Sequence, residues 1–221
     1  ERMTGMQQDR LKQLVEQFVG RRVVVIGDVM LDQFTWGLVE RISPEAPVPI
    51  VKVTDETYGP GACGNVAANI QALGGIPITI ALVGRDAEAD RLASLFAGMG
   101  MSADGLVPTD RQTTLKTRII AHNQQIVRTD REDRTPVPDS VNEELAGRFA
   151  EALGDASAVV VSDYNKGAAN PGLLGRILPM AEGAGIPVFL DPKLDHADDY
   201  RPITLIKPNH HEAEALSGTR I

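Results

Sequence analysis

The chain has 221 residues, 43% of them hydrophobic, and a formal net charge of -8 at pH 7. That length and apolar content suit one α/β domain with a small appendage and exclude wholesale disorder. The acidic balance argues against general nucleic-acid binding, the single cysteine (Cys63) rules out an internal disulfide framework and suits a reducing cytoplasm, and no apolar run reaches the roughly 18 residues of a membrane span.

A helix opens the pattern. Leu11, Leu14, Val15, Phe18 and Val19 follow i, i+3, i+4, i+7, i+8 and draw one apolar stripe. Val23-Val24-Val25-Ile26 is a continuous β-branched run that ends in Gly27-Asp28, with Asp32 just beyond. From Phe34 to Tyr58 the texture changes to Pro-flanked and alternating segments, an excursion from the core with one face covered and one wet. Gly59-Pro60-Gly61-Ala62-Cys63-Gly64 leads into a helix over Asn65–Leu73 that Gly74-Gly75 ends. Ile78–Val83 reads as a strand closed by Gly84-Arg85-Asp86, and Leu92, Leu95, Phe96 and Met99 mark the next helix. Thr113–Asp130 reads as two amphipathic strands turning at His122-Asn123. From Ser140 the rhythm runs on: helix to Leu153, strand at Ala158, helix from Pro171, strands at Pro187 and Thr204, helix from His210. The predicted fold is α/β, a mostly parallel sheet with helices on both faces and a small β lid. Residues 1–33, 59–107 and 131–221 form the core; residues 34–58 and 108–130 form the lid.

Four buried runs end in polar groups: Asp28 and Asp32; Ser162-Asp163; Asp191-Pro192-Lys193; Lys207-Pro208-Asn209 with Glu212. In a parallel sheet the ligand crevice lies beyond the carboxyl ends of the strands, so all four point to one edge. Asp32 could accept hydrogen bonds from sugar hydroxyls, while Asp28 reads as a turn or capping acid. Asn65 is either an N-cap or a hydroxyl-binding amide. Lys116, Arg118, Gln124, Gln125 and Arg128 give the lid basic and amide groups that suit a phosphorylated substrate, or else protect an edge strand. With a two-residue turn, Arg118 and Gln125 share one face and Gln124 and Arg128 the other. Lys166 and Lys193 could meet phosphate or be loop lysines. Asn209 and Glu212, one turn apart, form a capping box, could order phosphate and Mg²⁺-bound water, or do both. The glycine segment also matches G-x-G-x-x-G, with Asp86 as the ribose acid, but no buried strand precedes it. His210-His211 lacks partners for a transition-metal site.

Taken in order, these segments resemble the ribokinase-like (PfkB) carbohydrate kinases: residues 25–32, the glycine loop with Gly61 and Asn65-Val66-Ala67, Val83-Gly84-Arg85-Asp86, and Lys207-Pro208-Asn209 with Glu212. Residues 42–49, Lys116-Thr117-Arg118, 123–130, 162–167 and Asp191-Pro192-Lys193 are most similar to the branch that phosphorylates D-glycero-β-D-manno-heptose 7-phosphate, as a free enzyme or as half of a bifunctional protein with a nucleotidyltransferase domain. The resemblance implies ATP and Mg²⁺ as cofactors and a homodimer joined through the lid. It implies Asp32, Gly61 and Asn65 on sugar hydroxyls, with Arg118, Gln124, Gln125, Arg128 and Lys193, together with Asp163 and Lys166, around the substrate. Lys207, Asn209 and Glu212 would serve the nucleotide, Glu212 reaching Mg²⁺ through water. Two departures stand out. Ala62 occupies a loop position where glycine is common, and tightens the loop. The family's Gly-Ala-Gly-Asp, with its aspartate base, does not occur in the 221 residues. The resemblance puts it beyond Ile221, so this stretch is expected to belong to a longer kinase and not to turn over alone. A dinucleotide-dependent oxidoreductase and a non-catalytic sugar-phosphate-binding remnant are the competing expectations.

Overall fold

The computed structural model describes residues 5–220, with side chains from Asp9 to Arg220. Residues 1–4 and Ile221, both assigned to the core by the sequence, lie outside the described residues. The catalytic aspartate expected beyond Ile221 therefore lies outside them as well. β1 (Arg22–Gly27), β4 (Ile76–Val83), β5 (Leu106–Pro108), β8 (Ala158–Ser162), β9 (Val188–Asp191) and β10 (Leu205–Ile206) make a six-stranded sheet in the order β10-β9-β8-β1-β4-β5. Every pairing in it is parallel, so all six strands end at one edge. The chain runs outward from β1 through β4 and β5, then returns to the other side of β1 through β8. The topological switch therefore falls between β1 and β8, where parallel sheets open a crevice.

Side chains alternate across the strands and feed two cores. Val24, Ile26, Val159, Val161, Val188 and Leu190 pack against α4 (Asp139–Leu153) and α5 (Pro171–Gly183) through Leu145, Phe149, Leu173 and Ile177. Val25, Ala81 and Val83 pack on the opposite face against α2 (Cys63–Ala72) and α3 (Ala87–Gly98) through Cys63, Ala67, Leu92 and Phe96. This second face is open over β8 to β10. Phe18, Val23, Ile70, Leu73, Ala158, Val160 and Phe189 line an apolar hollow of about 230 Å³ there. The apolar stripe of α1 (Gly5–Glu16) shares that exposure, with Leu11 and Val15 nearly half exposed. Of the expected stripe, Leu11, Leu14 and Val15 lie on α1, while Phe18 and Val19 fall after its end at Glu16.

The lid is a separate four-stranded sheet in the order β3-β2-β6-β7, built from β2 (Val29–Ile42), β3 (Pro49–Ala62), β6 (Leu115–Ala121) and β7 (Gln124–Arg131). Its strands reach further into the sequence than residues 34–58: β2 starts one residue after Asp28, and β3 runs through the glycine segment to Ala62. The parallel β2–β6 pairing zips the two excursions into one sheet. His122 and Asn123 turn with φ of 50° and 62°, the left-handed pair that a two-residue hairpin needs. No helix is long and apolar enough to cross a membrane among the described residues.

Gly27 (φ +147°) lets β1 and β8 touch, since a Cβ there would lie 2.1 Å from the Ser162 carbonyl oxygen. Gly27→Ala should lower the unfolding free energy by about 3 kcal/mol or more, read as a shift in the urea midpoint. Ala62 also sits at positive φ (52°) at the N-terminus of α2, a conformation that glycine adopts without strain. Ala62→Gly should raise stability by about 1 kcal/mol in the same measurement.

Candidate active site at the sheet edge

The crevice is framed by one buried carboxylate. Asp28 is 2% exposed and accepts backbone N–H bonds from Tyr164 (2.7 Å), Lys166 (3.0 Å) and Ala168 (2.9 Å). Burial pushes its carboxyl up, the three N–H groups pull it down, and the net direction is upward. The structural reading of Asp28 holds: it pins the loop after β8 to the end of β1. Asp163 is the correction. It was expected among the substrate ligands, yet it is 1% exposed and its oxygens are taken by the Asn165 N–H (2.7 Å), the Tyr200 hydroxyl (2.7 Å) and His196 Nδ1 (2.5 Å). It shapes the loop and presents nothing to the crevice. Tyr200 and His196 gave no motif signal, because their partner lies more than thirty residues away.

At the root of the lid, Asp32 meets Arg118 across the β2–β6 pairing, with Oδ1 2.6 Å from Nη1. Gly61 matters here for space: a Cβ would lie 2.5 Å from Asp32 Oδ2. Its absence lets the carboxylate lie over the β3 backbone. Arg118 also stands over the Phe34 ring at 5.1 Å. Arg128 pairs directly with Arg118 in the β6–β7 register, on the same face. This overturns the expected alternation. A bulge between Ile119 and Ile120 leaves Ile126 unpaired and shifts the stretch of β7 from Val127 to Arg131 by one residue. Gln125, opposite Ile120, keeps the expected face with Arg118, and Gln124, opposite Ala121, the other. Lys116 and Arg128 both meet Asp130 at 2.9 Å. The Lys116 ammonium foremost, with burial opposing and Arg128 assisting, holds the Asp130 carboxyl below its usual range.

Further along the edge, Lys193 Nζ lies 2.6 Å from Glu212 Oε1, and Glu212 Oε2 accepts the Asn209 N–H at 2.8 Å. Asn209 Oδ1 caps the Glu212 N–H at 3.0 Å, so the capping box is present at the start of α6 (His210–Ser217). Burial works to raise Glu212, but Lys193 and the Asn209 N–H outweigh it and hold its carboxyl low. The bond to Glu212 holds the Lys193 ammonium high despite burial. Lys207 is largely exposed, 3.6 Å from Asp191. Lys166 pairs with Glu132. Tyr164 lies beside this cluster: the Lys193 ammonium stands 5.6 Å over its ring, and burial first, then the neighbouring Asp191, pushes its hydroxyl up. Asn65 is not the N-cap. Ala62 holds that position without a side-chain bond, and Asn65 is exposed on the first turn of α2.

Two clusters result: Asp32, Gly61, Arg118 and Arg128 at the root of the lid, and Lys193, Asn209 and Glu212, with Lys207 beside Asp191, after β9 and β10. The dinucleotide reading fails on geometry. The glycine segment ends an antiparallel lid strand, and Asp86 caps α3 and bonds Thr113. Among the described residues no group of three or more His, Cys, Asp or Glu is placed to hold a metal.

The pfkB family carbohydrate kinase profile matches residues 21–221. The chain belongs to this family. It is 44% identical over 211 residues to the Bifunctional protein HldE of Caulobacter vibrioides and 46% identical over 201 residues to that of Geobacter sulfurreducens, covering 95% and 90% of this chain. It spans only 43% and 41% of those relatives. Among solved structures, the tetrameric inhibited form of phosphofructokinase-2 from Escherichia coli superposes with a TM-score of 0.72 at 22% identity, covering 91% of this chain and 65% of that one. Arabidopsis thaliana ribokinase complexed with ribose and ATP gives 0.63 at 17% identity, covering 90% and 63%. These two establish the ribokinase-like fold of the sheet and its helices.

The Glu212–Lys193 pair carries a pH signature. Glu212 is depressed below its ordinary value of 4.5, so its contribution is full above that value and fades as pH falls through the folded one. Lys193 is raised above 10.5, so its contribution is full below that value and fades only as pH rises through the folded one. The pair should stay intact from about pH 5 to 10. Lys193→Met should move the Glu212 titration upward, followed by carboxyl NMR shifts between pH 3 and 7.

Proposed function

We propose that this chain is the kinase part of an enzyme that uses ATP to phosphorylate D-glycero-β-D-manno-heptose 7-phosphate at its anomeric hydroxyl. The product would be the heptose 1,7-bisphosphate, a precursor of the lipopolysaccharide core. The observation that carries the reading is the acid–arginine pair at the base of the lid: Asp32 beside Arg118, with Arg128 on the same face. One carboxylate suits sugar hydroxyls, and two guanidiniums on one sheet face suit a sugar phosphate. The HldE relatives, described as bifunctional, support a sugar-phosphate kinase coupled to a second activity.

In this reading the sugar lies between lid and core. Asp32 takes its hydroxyls, with Asn65 and the free N–H groups at the start of α2 nearby. Arg118, Gln125 and Arg128 face the phosphate from above, and Lys193 from the edge; Gln124 reaches it only if the hairpin tip twists. Lys207 and Asn209 would meet the phosphates of ATP. Magnesium would neutralise charge between those phosphates. Glu212, with both oxygens already bonded, would act on the ion through water once Lys193 turns to a phosphate. Lys166, held by Glu132, serves the loop first and a phosphate second. Phosphoryl transfer makes the bond from the anomeric oxygen to the γ-phosphorus, breaks the bridge to ADP, and releases the hydroxyl proton. Asp28 and Asp163 are buried and bonded, and Asp32 is tied to Arg118. The proton acceptor in this reading is the aspartate of the family's Gly-Ala-Gly-Asp, supplied from beyond Ile221 and not among the 221 residues. We read the outer lid, where Leu38, Ile42, Val48 and Val53 are exposed, as the clasp of a homodimer. We read the reaction as cytoplasmic, where ATP is supplied.

The test is ATP-dependent consumption of the heptose 7-phosphate by the full-length protein that carries this chain. Turnover of another sugar, with none of this one, would remove the substrate and keep the fold. Arg118→Ala should raise KM for the sugar phosphate by roughly 10- to 100-fold and leave KM for ATP nearly unchanged.

A further inference from the structure

The Asp32 face of the lid holds more than charge. Along β2 the residues at alternate positions are Asp32, Phe34 and Trp36, so all three point the same way. The Phe34 and Trp36 rings are stacked, with centroids 6.2 Å apart and planes 19° from parallel. Trp36 is held in place by its indole N–H, which donates to Thr57 Oγ1 at 3.0 Å. Arg118 stands over Phe34 on the same side. Beside Asp32 in the register sits Gly59. A Cβ there would meet nothing within 4 Å, so the surface next to the carboxylate is open. The other face of the lid is occupied: Arg91 lies over Tyr58 at 3.9 Å, and Arg131 meets Glu88 at 2.5 Å, both reaching to or from α3.

A carboxylate, an open glycine, two stacked rings and two arginines on one sheet face make an amphipathic surface. Sugar rings have the matching pattern, with hydroxyls at the rim and C–H bonds on the faces. The C–H groups carry slight positive charge, and the faces of aromatic rings are negative. We propose that Phe34 and Trp36 are specificity-determining residues, a platform on which the C–H face of the phosphorylated sugar stacks while Asp32 takes its hydroxyls and Arg118 and Arg128 its phosphate. The inference rests on the sugar-phosphate kinase reading above and deepens it. Charge complementarity commits the surface to this occupant: a plain apolar partner would have to desolvate the Asp32–Arg118 and Arg128–Asp130 pairs while offering no polar group in return.

Trp36 is the only tryptophan among these 221 residues, and the difference between the wild type and Trp36→Phe isolates its emission from that of any other tryptophan in the full-length protein. In the full-length protein, titration with D-glycero-β-D-manno-heptose 7-phosphate without ATP should change tryptophan emission saturably. Trp36→Phe should abolish that change, and inorganic phosphate should not produce it. Phe34→Leu and Trp36→Leu should each raise KM for the sugar phosphate roughly tenfold with kcat largely kept, while Trp36→Phe, which retains a ring, stays near wild type. Calorimetry separates the two readings. If the sugar phosphate does not bind at all, the function proposed above fails and takes the platform with it. If it binds with unchanged emission, and both leucine variants keep wild-type KM, the platform is wrong and the kinase reading stands. If the leucine variants change only the dimer–monomer balance in sedimentation, this face is a subunit contact and the proposal is overturned.

Discussion

Asp28 is the constraint on which the site depends. The switch point of a parallel sheet is a gap between two strand ends that diverge, and a gap must be held to a fixed width to bind anything. Three N–H groups from the loop after β8 converge on one carboxylate at the end of β1. A neutral side chain of similar size has too few acceptors for three donors, and an unpaired buried N–H costs about as much as a lost hydrogen bond. Burial and the nearby Asp163 both oppose the charge. The three donors work against that upward push and hold the loop to the carboxylate.

Every functional charge at the edge has a partner inside the chain. Asp32 holds Arg118, Glu132 holds Lys166, Glu212 holds Lys193 and Asp191 lies near Lys207. The exposed members of these pairs contribute little to stability. Under the proposed function their value is positional: each cation is kept at its post by a weak hold that a phosphate, with more charge and more acceptors, would displace. Binding would then be an exchange of partners that avoids ordering free side chains from solvent.

Of the parallel core, β1, β4, β8, β9 and β10 were legible as short apolar runs with turn residues at their ends, whereas the three-residue β5 (Leu106–Pro108) falls across the boundary expected between core and lid. The His122-Asn123 turn and the Asn209–Glu212 capping box were legible for the same local reason. Three things were not. Asp163 looked like Asp32 in sequence, a carboxylate at a strand end, and only the distant Tyr200 and His196 show that it is spoken for. Asn65 missed the cap because β3 runs on to Ala62 and starts the helix two residues early. The open glycine at 59 and the ring pair beside Asp32 depend on the β2–β3 register, which no spacing rule supplies. The family likeness supplied the roles of Arg118 and Arg128; alternation alone put them on opposite faces.

That last discrepancy comes down to Ile126. One unpaired residue decides which side of β7 the outer guanidinium joins. Removing it would turn Arg128 or the hairpin tip to the other face while leaving each neighbouring residue the same. The set of side chains that this face of the lid presents is therefore encoded in strand phase as much as in residue type. In evolution, a single in-frame codon gained or lost at this point could recast the surface that a substrate meets, with no point substitution at all.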